Sequence, residues 1–200
     1  MDHNEIRSFL ESFEPRRERT IVIVDYGNVE KWKHSLHWRI GIKELAQLVK
    51  SFSTGKTYLR RFYFGSDYGP HERSEILVPF SRLIIEKAQM NRFEIVTKRV
   101  KYIHDANNLS GYEKKCDLDV EMAVDLIKER DGYDTIVLFS GDGDLMYAVK
   151  YLHDAFGKSC VVFGARDHIG REVFDAKTEG YVTNIFYAEA FEYRLSMDKQ

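Results

Sequence analysis

Thr20-Ile21-Val22-Ile23-Val24-Asp25-Tyr26-Gly27-Asn28 is the stretch from which the rest of the chain can be read. Residues 20–24 form a near-continuous apolar run with no polar alternation, the habit of a strand buried on both faces of a parallel sheet. The run stops on a carboxylate. Thr135–Phe139 repeats the pattern and leads into Ser140-Gly141-Asp142-Gly143-Asp144. In parallel α/β sheets ligands bind outside the carboxyl ends of strands. Carboxylates gathered there from several strand ends repel one another unless a hard divalent cation joins them. The expectation at this level is a Mg²⁺-dependent, phosphodiester-cleaving site.

Strands and helices alternate outward from that stretch. Ile42–Phe52 reads as a helix, with Leu45, Ala46, Leu48 and Val49 at helical spacing. Tyr58–Phe64 and Phe93–Val100 read as strands, separated by a helix through Leu83, Ile84, Lys87 and Ala88 that starts or kinks at Pro79. Residues 103–114 are polar and turn-rich and read as a loop. Val120, Val124 and Ile127 mark the buried stripe of the next helix. A helix over Leu145–Ala155 with Gly157 as its stop, a strand over Ser159–Phe163, a further strand over Tyr181–Phe186 and a last helix complete the pattern. This order predicts a doubly wound, mostly parallel α/β sheet.

The chain has 200 residues, of which 44% are hydrophobic and 31% charged, with net charge −2, and a sequence pI near 6.4. That suits one globular domain and excludes the basic signature of a tight nucleic-acid binder. Any grip on a polyanion must be local or shared with a cation. Cys116 and Cys160 lie far apart without metal-ligand spacing, which fits a reducing cytoplasmic compartment. No signal peptide and no membrane-length apolar run is visible. Residues 1–19 form a charged extension, in which Phe9, Leu10 and Phe13 could make the apolar face of a docking helix. The domain itself is expected over residues 20–195.

Each acidic group has a plain reading beside the functional one. Gly141 and Gly143 permit a sharp strand-to-helix turn, so Asp142 and Asp144 can converge on one cation; either could instead cap the helix near Leu145, although a cap needs only one of them. Asp25 and Asn28 could merely satisfy a turn. Asp117 and Asp119 lie about 200° apart around a helix axis, so one is expected to cap and the other to act. Asp125 reads as a solvated residue or salt-bridge partner. Lys114 and Lys115, beside the acidic helix, and the run Lys98-Arg99-Val100-Lys101 with Tyr102 are candidates for holding phosphate. Arg60 and Arg61 read as solvated surface, and Cys116 as packed rather than reactive. No nucleophile-base arrangement is visible among the histidines.

Taken together, Ile23-Val24-Asp25-Tyr26-Gly27-Asn28, Lys115-Cys116-Asp117-Leu118-Asp119-Val120-Glu121-Met122-Ala123-Val124-Asp125 and Ser140-Gly141-Asp142-Gly143-Asp144-Leu145 resemble, in order, the three signature blocks of the NYN family. These are LabA-like members of the PIN-like nuclease superfamily. The turn at Gly157-Lys158 and the strand Cys160–Gly164 also resemble the family's segment after its third block. The resemblance covers about residues 20–190. It implies a Rossmann-like three-layer α/β/α fold and an acidic pocket for Mg²⁺ or Mn²⁺. It implies ribonuclease activity with 5′-phosphate and 3′-hydroxyl products. Carried over by position, the metal-site acids are Asp25, Asp119, Asp142 and Asp144, with Asn28 and Ser140 in support. Asp119 takes the role over Asp117 because the Asp-Val-Glu-Met run aligns there. Asp117 stands where the family usually has an uncharged residue, and Leu145 where it commonly has Phe.

Two rival readings remain. A haloacid-dehalogenase-type phosphatase also begins on a strand-end aspartate, but places a second acid two residues later, where this chain has Gly27. A non-catalytic module of the same fold would bind RNA or protein without cleaving.

Overall fold

The computed structural model describes residues 19–51, 57–70, 74–105, 108 and 111–197; the expected docking helix lies outside them. The apolar run at residues 20–24 forms β1 (Thr20–Asp25), buried along Thr20–Val24. Two short helices come next, α1 (Tyr26–Lys31) and α2 (Lys33–Leu36), then α3 (Ile42–Ser51), β2 (Thr57–Ser66), α4 (Pro79–Met90) and β3 (Glu94–Arg99). After these come β4 (Lys101–His104), β5 (Tyr112–Lys115), α5 (Asp119–Lys128), β6 (Thr135–Phe139), α6 (Met146–Phe156) and β7 (Ser159–Gly164). The last elements are α7 (Arg171–Thr178), β8 (Asn184–Tyr187) and α8 (Glu192–Leu195).

The main sheet has the order β3-β2-β1-β6-β7-β8, and its five pairings are all parallel. Strand order reverses between β1 and β6, because the chain first winds outward on one side of β1 and then returns to pair on the other. Pleat alternation splits the core in two. Val22, Val24, Phe62, Phe64, Val137, Phe139, Val161 and Phe163 pack against α1, α3, α4 and α8. Ile21, Ile23, Tyr63, Ile136, Leu138, Cys160 and Val162 pack against α5, α6 and α7. Three layers result, as expected. On the first face Phe139, Phe163 and Phe186 stack in series, with centroids 4.6 and 4.7 Å apart.

Pro79 is the first residue of α4, where its missing N–H costs nothing. Gly157 closes α6 with φ 65°, a left-handed conformation that suits glycine.

Four expectations need correction. Val120 and Val124 do not form the buried stripe of α5: both are exposed, and Met122 and Leu126 are its buried residues. Residues 103–114 are not simply a loop: β4 and β5 pair antiparallel, Tyr102 opposite Lys114 and Lys101 opposite Lys115. Both faces of the hairpin are largely exposed, so no apolar alternation marks it in the sequence. Arg61 is not solvated surface. Its side chain is 16% exposed and pairs with Glu94, Asp125 and Glu129 at 3.4, 3.3 and 3.0 Å, and Arg60 beside it is half-buried. Cys116 is exposed rather than packed, with its sulfur 3.5 Å from the Lys98 carbonyl oxygen.

Candidate active site

Asp25 is the last residue of β1 and caps α1. Its Oδ1 accepts from the Asn28 N–H at 3.1 Å and its Oδ2 from the Ser140 hydroxyl at 3.1 Å. Ser140 Oγ also accepts from the Asp142 N–H at 3.1 Å, so one hydroxyl ties the end of β1 to the turn after β6. The Asn28 side-chain oxygen fastens the same junction, accepting from Gly141 N–H at 3.0 Å and the Trp32 indole N–H at 2.7 Å. Asn28 and Ser140 thus brace the point where strand order reverses.

The turn itself has no room for side chains at its glycines. A Cβ on Gly141 would collide with the His168 carbonyl oxygen, and one on Gly143 with the Glu172 carboxylate. Gly170 N–H donates to the Gly141 carbonyl at 2.8 Å, closing the 165–170 loop onto the turn. Asp142 Oδ1 accepts from Asp144 N–H at 3.1 Å. Leu145, not either aspartate, stands at the N-cap of α6 and makes no side-chain cap.

Asp119 opens α5. Asp117 precedes it, and its Oδ1 accepts from Asp119 N–H at 3.0 Å; the N-cap itself is Leu118, not Asp117, and makes no side-chain cap. Asp119, Asp142 and Asp144 each offer a carboxylate oxygen within 4.8 Å of the others. Asp25 stands behind this trio with both oxygens committed to protein donors. The four acids therefore divide into three convergent carboxylates and one bracing carboxylate. They share a cleft of about 600 Å³ with Asp67, Cys116, Lys114 and Lys115. A second, shallower cleft of about 370 Å³ meets Asp142 and Asp144 from the side of Asp167, His168 and Glu172.

The electrostatics follow from that crowding. Burial, the hydrogen bond and charge of Asp117, and the charges of Asp142 and Asp25 push the Asp119 carboxyl up to about 7. Its partner Asp117 is held low, chiefly by the Asp119 N–H and carboxyl. Burial raises Asp25 as well, against its bonds to Asn28 and Ser140. Among the described residues no lysine or arginine forms a salt bridge to Asp25, Asp119, Asp142 or Asp144. Three oxygen donors with uncompensated charge fit a hard divalent cation such as Mg²⁺ or Mn²⁺.

The expected phosphate-binding lysines have separate fates. Lys98 pairs with Glu121 at 2.8 Å and donates to the Asp117 carbonyl at 2.9 Å. Lys114 pairs with Asp67 at 2.9 Å. Arg99 lies over the Tyr68 ring, 4.7 Å from its centroid. Lys101 and Lys115 are exposed, and neither ammonium makes an ion pair among the described residues. Asp67, which follows β2 as Asp25 ends β1, is a further acid of the cleft that the sequence motifs do not mark.

The sequence model of the NYN domain matches residues 19–184. The chain belongs to the NYN family. NYN domains are a PIN-like nuclease family, and the three-layer parallel sheet described above is the fold expected of one. A relative, the low amplitude and bright protein LabA of Synechococcus elongatus, is 36% identical over 90 residues, 45% of this chain and 47% of LabA. The match thus spans about half the length of that protein. A crystal structure of a protein of unknown function from Vibrio parahaemolyticus shares the fold, with TM-score 0.61 and 19% identity over 85% of this chain and 92% of that one. No helix among the described residues of this NYN domain is long and apolar enough to cross a membrane.

Proposed function

We propose that this NYN domain is a Mg²⁺- or Mn²⁺-dependent ribonuclease that hydrolyses phosphodiester bonds. The observation that carries this reading is the convergence of Asp119, Asp142 and Asp144 within 4.8 Å at the point where strand order reverses, with no salt bridge to offset them among the described residues. The three would hold the cation. When bound, Mg²⁺ or Mn²⁺ supplies the Lewis acidity that makes water nucleophilic near neutral pH and offsets charge on the phosphate.

The protein's own part is positional. Asp25, held through both oxygens, keeps β1 and the Ser140–Asp144 turn in register. Asn28 and Ser140 set the turn's backbone, and with it the directions of Asp142 and Asp144. Asp117 fixes the first turn of α5 and thereby aims Asp119. Lys115 lines the cleft where a phosphate backbone would lie, and Lys101 stands opposite it in the β4–β5 ladder. Lys98 and Lys114 act through Glu121 and Asp67 rather than on substrate.

No protein nucleophile is required. Cys116 is the only thiol lining the cleft among the described residues, and partial burial pushes it up, away from thiolate. Asp25 is poorly placed to attack phosphate as a phosphatase nucleophile would, since both oxygens accept hydrogen bonds and Gly27 offers no acid.

Labelled RNA and DNA incubated with Mg²⁺, with Mn²⁺ and with EDTA test the proposal, beside phosphate release from small esters. Metal-dependent RNA cleavage abolished by EDTA is expected. Ester hydrolysis without RNA cleavage would favour the phosphatase, and RNA binding without cleavage the non-catalytic module. A reducing cytoplasmic location agrees with the two unpaired cysteines.

A further inference from the structure

The β4–β5 hairpin is hard to account for as a purely structural element. Its strands are four residues each and mostly exposed, and an isolated two-stranded hairpin is at best marginally stable in water. It is fastened at one rung. Asp67, whose side chain is 10% exposed, accepts at Oδ1 from the Tyr102 hydroxyl at 2.7 Å and at Oδ2 from the Lys114 ammonium at 2.9 Å. Tyr102 and Lys114 are directly opposite in the ladder, so a single carboxylate grips both strands. Asp67 is itself locked in place. Its N–H donates to Ser81 Oγ at 3.1 Å, its carbonyl accepts from Val78 N–H at 2.9 Å, and Oδ1 also accepts from Gly69 N–H at 2.7 Å. The anchor therefore runs from the start of α4 through the end of β2 into the hairpin.

The next rung pairs Lys101 with Lys115. Side chains alternate along a strand, so these two point away from the face that Asp67 holds. Like charges directly opposite each other weaken a hairpin. Neither lysine is offset by an ion pair among the described residues, and Lys115 lines the cleft that holds the four aspartates. Two cations paired across one rung without an ion-pair partner among the described residues, one of them lining the carboxylate cleft, on a hairpin that Asp67 fastens at the wall of that cleft, suit a polyanion laid along it.

We propose that the β4–β5 hairpin is the arm that holds the RNA backbone beside the carboxylate cluster through Lys101 and Lys115, and that Asp67 is the positioning residue that fixes this arm. This rests on the ribonuclease reading. Asp67 is no cation ligand in this scheme: both of its oxygens are committed to protein donors, and it stands outside the convergent trio.

The test uses the full chain with Asp67→Asn, Tyr102→Phe, Lys114→Met, Lys114→Arg and Lys101→Ala/Lys115→Ala. Each is assayed for kcat and KM on a labelled single-stranded RNA with Mg²⁺, and for amide hydrogen exchange of residues 101–104 and 112–115 in the free protein. Asp67→Asn is expected to raise KM about ten-fold with kcat within about two-fold, and to lose exchange protection in the hairpin. Tyr102→Phe, which deletes one hydroxyl, should do the same to a smaller degree. Lys114→Arg should retain the KM that Lys114→Met loses. Lys101→Ala/Lys115→Ala should raise KM while hairpin protection stays. Unchanged protection in both Asp67→Asn and Tyr102→Phe, or a fall in kcat at constant KM, overturns the inference while leaving cleavage itself intact. A wild-type protein that neither binds nor cleaves RNA overturns the ribonuclease reading and the arm's role together.

Discussion

Arg61 and the cleft at the end of β1 each draw three carboxylates to one place, and they do opposite things with them. Around Arg61, Glu94, Asp125 and Glu129 meet a guanidinium, and Tyr63 donates to Asp125 at 2.9 Å. In the cleft, Asp119, Asp142 and Asp144 meet one another and the further carboxylates of Asp117 and Asp25, and none forms a salt bridge to a lysine or arginine among the described residues. The same helix serves both: α5 presents Asp119 in its first turn and Asp125 near its end. Where the cation is part of the chain, the carboxylates are offset by a guanidinium within the fold. Where it is missing, the three carboxylates are the site proposed to receive one. The difference lies in charge balance, since the ingredients are alike.

The largest test of that contrast is Asp142→Asn. Turnover should fall by at least about 100-fold, as when one group that stabilises transition-state charge is removed, while the metal-free protein melts higher because a repulsion has gone. Thermal unfolding and single-turnover cleavage on the same preparation check both halves, and full activity in the variant would end the assignment. Arg61→Met should invert the pattern. Stability in urea should drop by about 2 kcal/mol, from carboxylates left unpaired in a partly buried site, with kcat per folded molecule within about two-fold of wild type.

Titration sharpens the contrast further. With Asp119 pushed up to about 7, the native metal-free protein holds more protons than the unfolded chain between about pH 4 and 7. Its stability therefore falls as pH rises through that window. Mg²⁺ or Mn²⁺ displaces those protons, so the stabilisation it provides should grow over the same range. Asp117→Asn removes the nearest charge acting on Asp119 and should flatten the metal-free curve. Melting temperatures from pH 4.5 to 7.5, with and without the cation, decide it. At the acid end Asp67 works the other way. Burial pushes it up, but its bonds from Lys114, Tyr102 and Gly69 outweigh that and hold it low. Its contribution is present above the ordinary carboxylate range and lost as pH drops through its lowered pKa.

The smallest effect concerns Lys115. Lys115→Ala should weaken RNA binding a few-fold and reduce the log–log salt slope by about 0.7, one phosphate on a single strand. For the whole protein, about three phosphate contacts give a slope near −2. Fluorescence anisotropy across a salt series measures both, and a steep slope without metal would point to a binding module.

What could be read in advance was what burial writes into a sequence. β1, β6 and β7 are sealed on both faces, so their runs of Ile, Val, Leu and Phe announce strands, and the acids that end the first two announce a site. The hairpin and the Arg61 network are made of polar residues whose partners lie far along the chain, and no local pattern marks them. Arg61 meets residues 64 and 68 positions away by number. Asp67 follows a strand end like Asp25, but β2 runs two residues beyond Phe64, where its apolar run was expected to stop. Spacing alone puts Asp117 and Asp119 in different roles without saying which acts; the family resemblance points to Asp119, the acid that stands in the trio.

The hydrogen bond from Ser140 to Asp25 joins residues 115 positions apart, and this has a consequence for how the protein is made. At about 5–20 residues per second, roughly ten seconds of synthesis separate the emergence of the two. Until β6 arrives, β1 can pair with β2 on one side only. Its other edge, Thr20–Val24, waits as an unpaired apolar strand, the kind that recruits other chains. A ribosome stalled between residues 100 and 135 would carry a half-sheet with its central edge open and with Asp142 and Asp144 still unmade.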